Sequence, residues 1–172
     1  RSDDAFLNAF LNHTLRARVL DVVVMHSYNN DGGHDWQQPG FLQQTKSQAE
    51  TMLALAQKWS VDEHSVPPVW CGECGPHNDG GVPNVTDRAI SSFWYLDALG
   101  GLAQLGVQQF GRQALVGSHY GLLADYSYHP NPDYYTLLLW KRLMGAGVLG
   151  VSIQPISGAM ADGVDELHVY AH

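Results

Sequence analysis

Glu73 stands between two cysteines, in the run Trp70-Cys71-Gly72-Glu73-Cys74. A carboxylate that follows an apolar strand and precedes a loop of small residues reaches the mouth of a sheet, where it can serve as nucleophile or proton-transfer group. The same position suits a structural carboxylate paired with a nearby cation. His26 and Tyr28, at the end of the preceding strand, can donate hydrogen bonds that keep such a carboxylate ionised. They read equally well as a satisfied buried histidine and a packing tyrosine. Cys71 and Cys74 also form a Cys-x-x-Cys pair, which works in thiol–disulfide exchange when a following helix N-terminus lowers the first thiol's pKa. Here Gly75, Pro76, Gly80 and Gly81 follow and break helices, so that device is missing. A zinc site built from Cys71, Cys74, His77 and His26 is conceivable by ligand type, but no second paired motif accompanies it. Two cysteines this close cannot staple a fold.

Three strand–loop–helix units position these residues. Residues 18–25 are rich in β-branched side chains with little alternation, as in a strand buried on both faces of a parallel sheet. A helix is expected over residues 41–59, from the spacing of Leu42, Met52, Leu53, Leu55, Ala56 and Trp59. The second unit opens with the strand 67–71 and continues into a helix over about residues 87–105. Thr86 is placed to cap that helix, and Ile90, Phe93, Trp94, Leu96, Leu99 and Leu102 form its apolar stripe, read as core packing. The third has a strand within residues 106–116, a glycine-rich loop, and a helix with Asn131 as cap, Pro132 at its first position, Asp133 in its first turn, Lys141 and Arg142 in its last, and Gly145 as stop. Beyond Gly147 short β-like stretches, 148–154 and 166–171, open a different, all-β element. The pattern is α/β, either an open doubly wound sheet or the final portion of a (β/α)8 barrel. In both, ligands sit at the carboxyl ends of the strands. Those ends carry His26 with Tyr28, Glu73, and Gln113.

Composition narrows the partners. The chain of 172 residues is 45% hydrophobic and only 15% charged, which excludes a disordered polar chain. A net charge of −8 with nine scattered Lys and Arg argues against nucleic-acid binding. No run of 18 apolar residues is present, so no membrane-spanning helix is expected. The start at Arg1 lacks an initiator Met and a signal-peptide layout, and reads as a cut into a longer sequence. Asn12-His13-Thr14 and Asn84-Val85-Thr86 are N-glycan acceptors in a secretory pathway, though such tripeptides also arise by chance. The loop Gly117-Ser118-His119-Tyr120-Gly121 suits an anion or a sugar. Tyr28, Trp36, Tyr120 and Tyr126 suit sugar stacking or packing.

Several segments carry a more specific resemblance: Val69-Trp70-Cys71-Gly72-Glu73-Cys74-Gly75, residues 92–100, Gly111-Arg112-Gln113-Ala114-Leu115-Val116-Gly117, Tyr120-Gly121-Leu122-Leu123, Pro130-Asn131-Pro132-Asp133-Tyr134-Tyr135, and residues 138–145. In this order they cover most of residues 20–150, and from His26 onward the chain resembles the heparanases and heparanase-like proteins of glycoside hydrolase family 79, closest to the plant-type branch.

The resemblance implies the last three βα units of a (β/α)8 TIM-type barrel over residues 1–147, followed by the start of a β-sandwich over 148–172. It implies Glu73 as nucleophile of a retaining glycosidase of β-glucuronidase type, with His26 and Tyr28 lining the site and Gly80, Gln113 and Tyr120 contacting the uronic acid. The expected partner is a polysaccharide or glycoprotein glycan, without metal or organic cofactor, in a secreted, extracellular or endomembrane setting. Two departures bear on substrate. Asp79 replaces a glycine of the mammalian loop and would repel a uronate, and the loop 117–121 is one residue shorter. Retention requires a second carboxylate about 5–5.5 Å from the first. The family takes it from an Asn-Glu pair after the fourth barrel strand, and this chain has no such pair. Asp35, Asp79 and Asp125 lie in loops on the matching side, but none is singled out. The chain is thus expected to be an incomplete, inactive fragment that carries the nucleophile. The alternatives are a non-catalytic carbohydrate-binding remnant and, less favoured, a Cys-x-x-Cys oxidoreductase.

Overall fold

A computed structural model of the chain describes residues 5–29, 40–152 and 168–172. The elements run α1 (Ala5–Arg16), β1 (Val23–Tyr28), α2 (Gln43–Trp59), a 3-10 turn (Glu63–Ser65), β2 (Val69–Gly75), α3 (Ile90–Gln104), β3 (Gln109–Arg112) and α4 (Pro132–Leu143). The strands form one parallel sheet in the order β1-β2-β3. Because parallel neighbours cannot be joined by a tight turn, α2 and α3 provide the crossovers. Trp36 and Asp35 lie outside the described residues, as do 153–154 and 166–167 of the expected β-like stretches.

The sheet is two-faced. Along β1, Val23, Met25 and Ser27 are buried, whereas Val24 and His26 are exposed. The buried face meets the helices in a core of Leu11 and Leu15 from α1, Ala49, Leu55 and Ala56 from α2, Val69, Cys71 and Cys74 from β2, and Leu102 from α3. Each large apolar side chain removed from water there stabilises the fold by roughly 1.5–3 kcal/mol. A second core joins Phe41, Trp94, Tyr95, Ala98 and Leu122. Among the described residues no helix is long and apolar enough to cross a membrane.

Several boundaries differ from the pattern in the sequence. Helix α1 is not among the elements expected from the sequence. Its buried residues, Leu11 and Leu15, stand i,i+4 on one face. Strand β1 starts later than expected and includes His26 and Tyr28, and β2 runs through Glu73 to Gly75, so Glu73 lies within the strand and not after it. Helix α3 begins at Ile90 behind Ala89, with no side-chain cap. Thr86 sits in the preceding turn instead, where its hydroxyl donates to the His119 carbonyl at 2.8 Å. The stripe on α3 is only partly core: Trp94 and Leu102 are buried, but Phe93, Leu96 and Ile90 are exposed. The inward face uses smaller or polar residues, Ser91, Asp97, Ala98 and Gly101. Helix α4 starts at Pro132 as expected, yet Asn131 makes no capping bond. Its side-chain amide donates to the Gly121 carbonyl at 2.8 Å. Beyond α4, Leu149 and Ala171 form an isolated antiparallel bridge.

Candidate active site

A bulge in β2 decides where Glu73 points. Met25 pairs with Cys71 and His26 with Glu73, so Gly72 is an extra residue opposite β1. Side chains alternate with a period of two along a strand, and one inserted residue reverses that alternation. Without the insertion, Glu73 would share the helix-facing side of Val69 and Cys71. With it, Glu73 turns to the open face beside His26 and Tyr28, and Cys74 returns to the core. Glycine gives room on both sides of this close approach. A Cβ on Gly72 would stand 2.5 Å from Val24 Cγ1, and one on Gly111 would stand 2.2 Å from the Gly72 carbonyl oxygen.

On the open face the Tyr28 hydroxyl donates to Glu73 Oε1. Burial pushes the Tyr28 phenol well above its usual range, and the adjoining Glu73 carboxylate pushes it further, so Tyr28 remains a protonated donor. His26 Nδ1 stands 3.8 Å from Glu73 Oε2, an electrostatic neighbour and not a direct hydrogen bond. The Tyr28 ring packs against buried Tyr120, with centroids 6.4 Å apart. Gln113 follows β3 directly, and its N–H donates to the Cys74 carbonyl at 2.9 Å. Gly80, at φ +84°, accepts from the His119 N–H at 2.7 Å. Contacts thus link His26, Glu73, Tyr28 and Tyr120 directly, while Gly80 and Gln113 join neighbouring backbone, at His119 and Cys74. Asp79 and Asp125 are exposed on the surrounding loops, and Tyr126 is fully solvated. Asn84 lies in an exposed turn, whereas Asn12 is half-buried on α1, where its side-chain oxygen accepts from Arg16.

The sequence motifs around Arg112 and Asp133 turn out to support the site from behind. Arg112, buried, pairs with Asp133 Oδ2 at 2.8 Å and donates to the Tyr120 carbonyl at 2.7 Å. Its guanidinium lies 5.0 Å from the Trp94 ring centroid and 4.9 Å from that of Tyr95. Ser91 and Ser92 donate to the two Asp133 oxygens. Burial pushes the Asp133 carboxyl up, and Arg112 with the two serine hydroxyls pulls it back. Sequence reasoning assigned Asp133 to the helix dipole and gave Arg112 no role. The available signal was a lone arginine at the end of the strand Gln109–Arg112.

Cys71 and Cys74 are joined as a disulfide, both fully buried on the helix-facing side of β2. They lie inside a strand and not at a helix N-terminus, which removes the geometry that activates a redox Cys-x-x-Cys. Among the described residues no group of three or more His, Cys, Asp or Glu is placed to hold a metal ion.

A carboxylate turned to the carboxyl ends of parallel strands, beside a protonated phenol, defines an α/β protein with a strand-end site of the kind used for acid–base or nucleophilic chemistry. Residues 2–100 match the family model for the N-terminal domain of glycosyl hydrolase family 79. The chain belongs to that family. It is 41% identical to heparanase-like protein 1 of Arabidopsis thaliana over 90% of its own length and 27% of that protein's. It is 35% identical to baicalin-beta-D-glucuronidase of Scutellaria baicalensis over 91% of the chain and 29% of that protein. With heparanase of Gallus gallus the identity is 32% over 80% of the chain and 26% of the relative. The chain therefore spans under a third of the length of these relatives.

Proposed function

We propose that this chain carries the nucleophile of a retaining glycoside hydrolase acting on glucuronic-acid-containing glycans. The observation that carries the reading is the hydrogen bond from Tyr28 to Glu73 on the open face of the sheet. A carboxylate so held is oriented toward a ligand and kept from collapsing onto the core. In the first step Glu73 attacks the anomeric carbon, the glycosidic oxygen departs, and an ester joins the sugar to Glu73. Water then cleaves that ester. The acid that protonates the leaving oxygen is assigned to no residue of this chain, so residues 1–172 by themselves form the ester only with a leaving group that needs no proton, and do not turn over ordinary glycosides.

His26 and Tyr28 orient the nucleophile in this reading, while Gly80, Gln113 and Tyr120 face the uronic acid. The three βα units are the last of a (β/α)8 barrel, residues 148–172 begin a β-sandwich, and the protein works outside the cytosol or within the endomembrane system. The relatives named as a glucuronidase and as heparanases support this substrate class.

The test uses a 2-deoxy-2-fluoro-β-glucuronyl fluoride. Fluoride leaves without protonation, and the 2-fluoro group slows hydrolysis of the ester. Intact-mass and peptide analysis should place one deoxyfluoroglucuronyl group on Glu73, and Glu73→Gln should take none. A label on another carboxylate, or equal labelling of Glu73→Gln, overturns the assignment.

A further inference from the structure

We propose that the Cys71–Cys74 disulfide is a positioning clamp which fixes the β2 bulge and thereby holds Glu73 on the open face of the sheet. The inference deepens the reading of Glu73 as nucleophile and rests on it for its catalytic meaning. Three observations converge. The two half-cystines flank the bulge residue, Gly72, and Glu73 itself. Both are fully buried among the helix-facing residues of the sheet, while Gly72 and Glu73 between them are accessible. Their Cα atoms are 6.2 Å apart, within the usual span of a disulfide.

Parity makes the clamp consequential. In a regular strand, residues three apart point to opposite faces. Cys71 and Cys74 can both face the helices only while the extra residue remains between them. A bond between the two sulfurs therefore excludes the regular register, in which one sulfur would leave the core and Glu73 would be turned inward. The neighbouring strands favour the same state less strongly: Gly111 gives the Gly72 carbonyl room, and the Gln113 N–H holds the Cys74 carbonyl. The disulfide closes too short a loop to add much to global stability through chain entropy. Its effect is local, on the two residues it encloses. The Cys-x-x-Cys motif thus serves the carboxylate inside it, and does not exchange electrons with a substrate.

The test compares the full chain in three forms: oxidised; reduced in denaturant and refolded with dithiothreitol; and Cys71→Val/Cys74→Ala, which keeps the core filled. The 13C resonance of the Glu73 carboxyl carbon is identified by its absence in Glu73→Gln, and Tyr28→Phe marks how far it moves when the hydrogen bond is lost. Alkylation with iodoacetamide verifies the thiol state. The expected result is a displaced or doubled Glu73 resonance in both forms lacking the bridge, with about tenfold slower labelling by the glucuronyl fluoride and unfolding still cooperative. A Glu73 resonance unchanged in both forms overturns the clamp. If the oxidised chain takes no label, the nucleophile reading fails, and the resonance comparison still decides the clamp on its own.

Discussion

The Tyr28 hydroxyl and the Glu73 carboxylate, 45 residues apart in the chain, meet across two adjacent parallel strands. Their meeting depends on a one-residue bulge, since only the register shift between Met25 and His26 brings Glu73 to the face that Tyr28 occupies. Tyr28 in turn leans on Tyr120, whose carbonyl is held by Arg112.

Removing the phenol hydroxyl tests the first link. A hydrogen bond to a charged group is worth about 1.5–3 kcal/mol, and each 1.36 kcal/mol is about tenfold in rate. Tyr28→Phe keeps the ring against Tyr120 and should slow covalent labelling of Glu73 by about 10- to 100-fold. An unchanged labelling rate in single-turnover mass spectrometry would exclude Tyr28 from orienting Glu73.

The bulge makes an asymmetric prediction about two glycines. A methyl group on Gly111 would meet backbone, the Gly72 carbonyl oxygen at 2.2 Å, whereas one on Gly72 would meet Val24 Cγ1, the tip of an exposed side chain. Backbone cannot yield without separating β2 from β3. Gly111→Ala should therefore cost at least the roughly 1–3 kcal/mol typical of overpacking, and Gly72→Ala less. Urea unfolding midpoints of the two variants check the order, and equal losses would contradict the bulge.

The sequence announced the three strand–helix units because apolar runs and Pro132 are local signals, and it placed His26, Tyr28, Glu73 and Gln113 toward the carboxyl ends of strands, where they stand. The bulge was not legible. Glu73 follows Val69 and Cys71 at a spacing of two, so a regular strand continued through it would bury it, whereas the expected strand stops at Cys71 with Glu73 at its end. Tertiary pairing resolves the conflict by inserting Gly72. Thr86 does not cap α3, and Asn131 holds the N-cap position of α4 without a side-chain capping bond. Thr86 and Asn131 have the right types at the right offsets, but their side chains hold the carbonyls of His119 and Gly121, a use set by loops distant in sequence. Helix α1 buries only Leu11 and Leu15, a short apolar spacing that does not announce a helix, and the exposed Phe93 and Leu96 show that an apolar stripe need not be the buried one.

The Arg112–Asp133 pair should behave as a buried ion pair. Replacing one partner leaves the other charge without compensation at a cost of about 3–5 kcal/mol, while replacing both with apolar residues is often close to neutral. Arg112→Met should be destabilised by about that amount, with Asp133 left facing only Ser91 and Ser92. The double variant Arg112→Met/Asp133→Leu should recover more than half of the loss, short of all of it because the two serine hydroxyls and the Tyr120 carbonyl lose their partner. Chemical denaturation of the four members of the cycle measures this coupling. Additive losses would mean that the two side chains do not support one another.

Alkaline pH reads the second core. Burial pushes the Tyr95 phenol up to about 12 from an ordinary value of 10.0, and Asp133 adds to the rise while Arg112 opposes it. A raised folded-state pKa means that the folded chain keeps a proton the unfolded chain releases, so stability is intact below pH 10 and falls as pH climbs toward 12. One proton retained over that interval corresponds to about 1.4 kcal/mol per pH unit. Tyr95 is almost entirely excluded from solvent, so screening relieves little of this cost. Unfolding free energies at pH 9, 10 and 11 should decline with a slope that Tyr95→Phe reduces by about one proton. If Tyr95→Phe tracks the parent, the drop comes from other tyrosines, such as Tyr170 with its bond to Asp97, and Tyr95 does not govern alkaline unfolding.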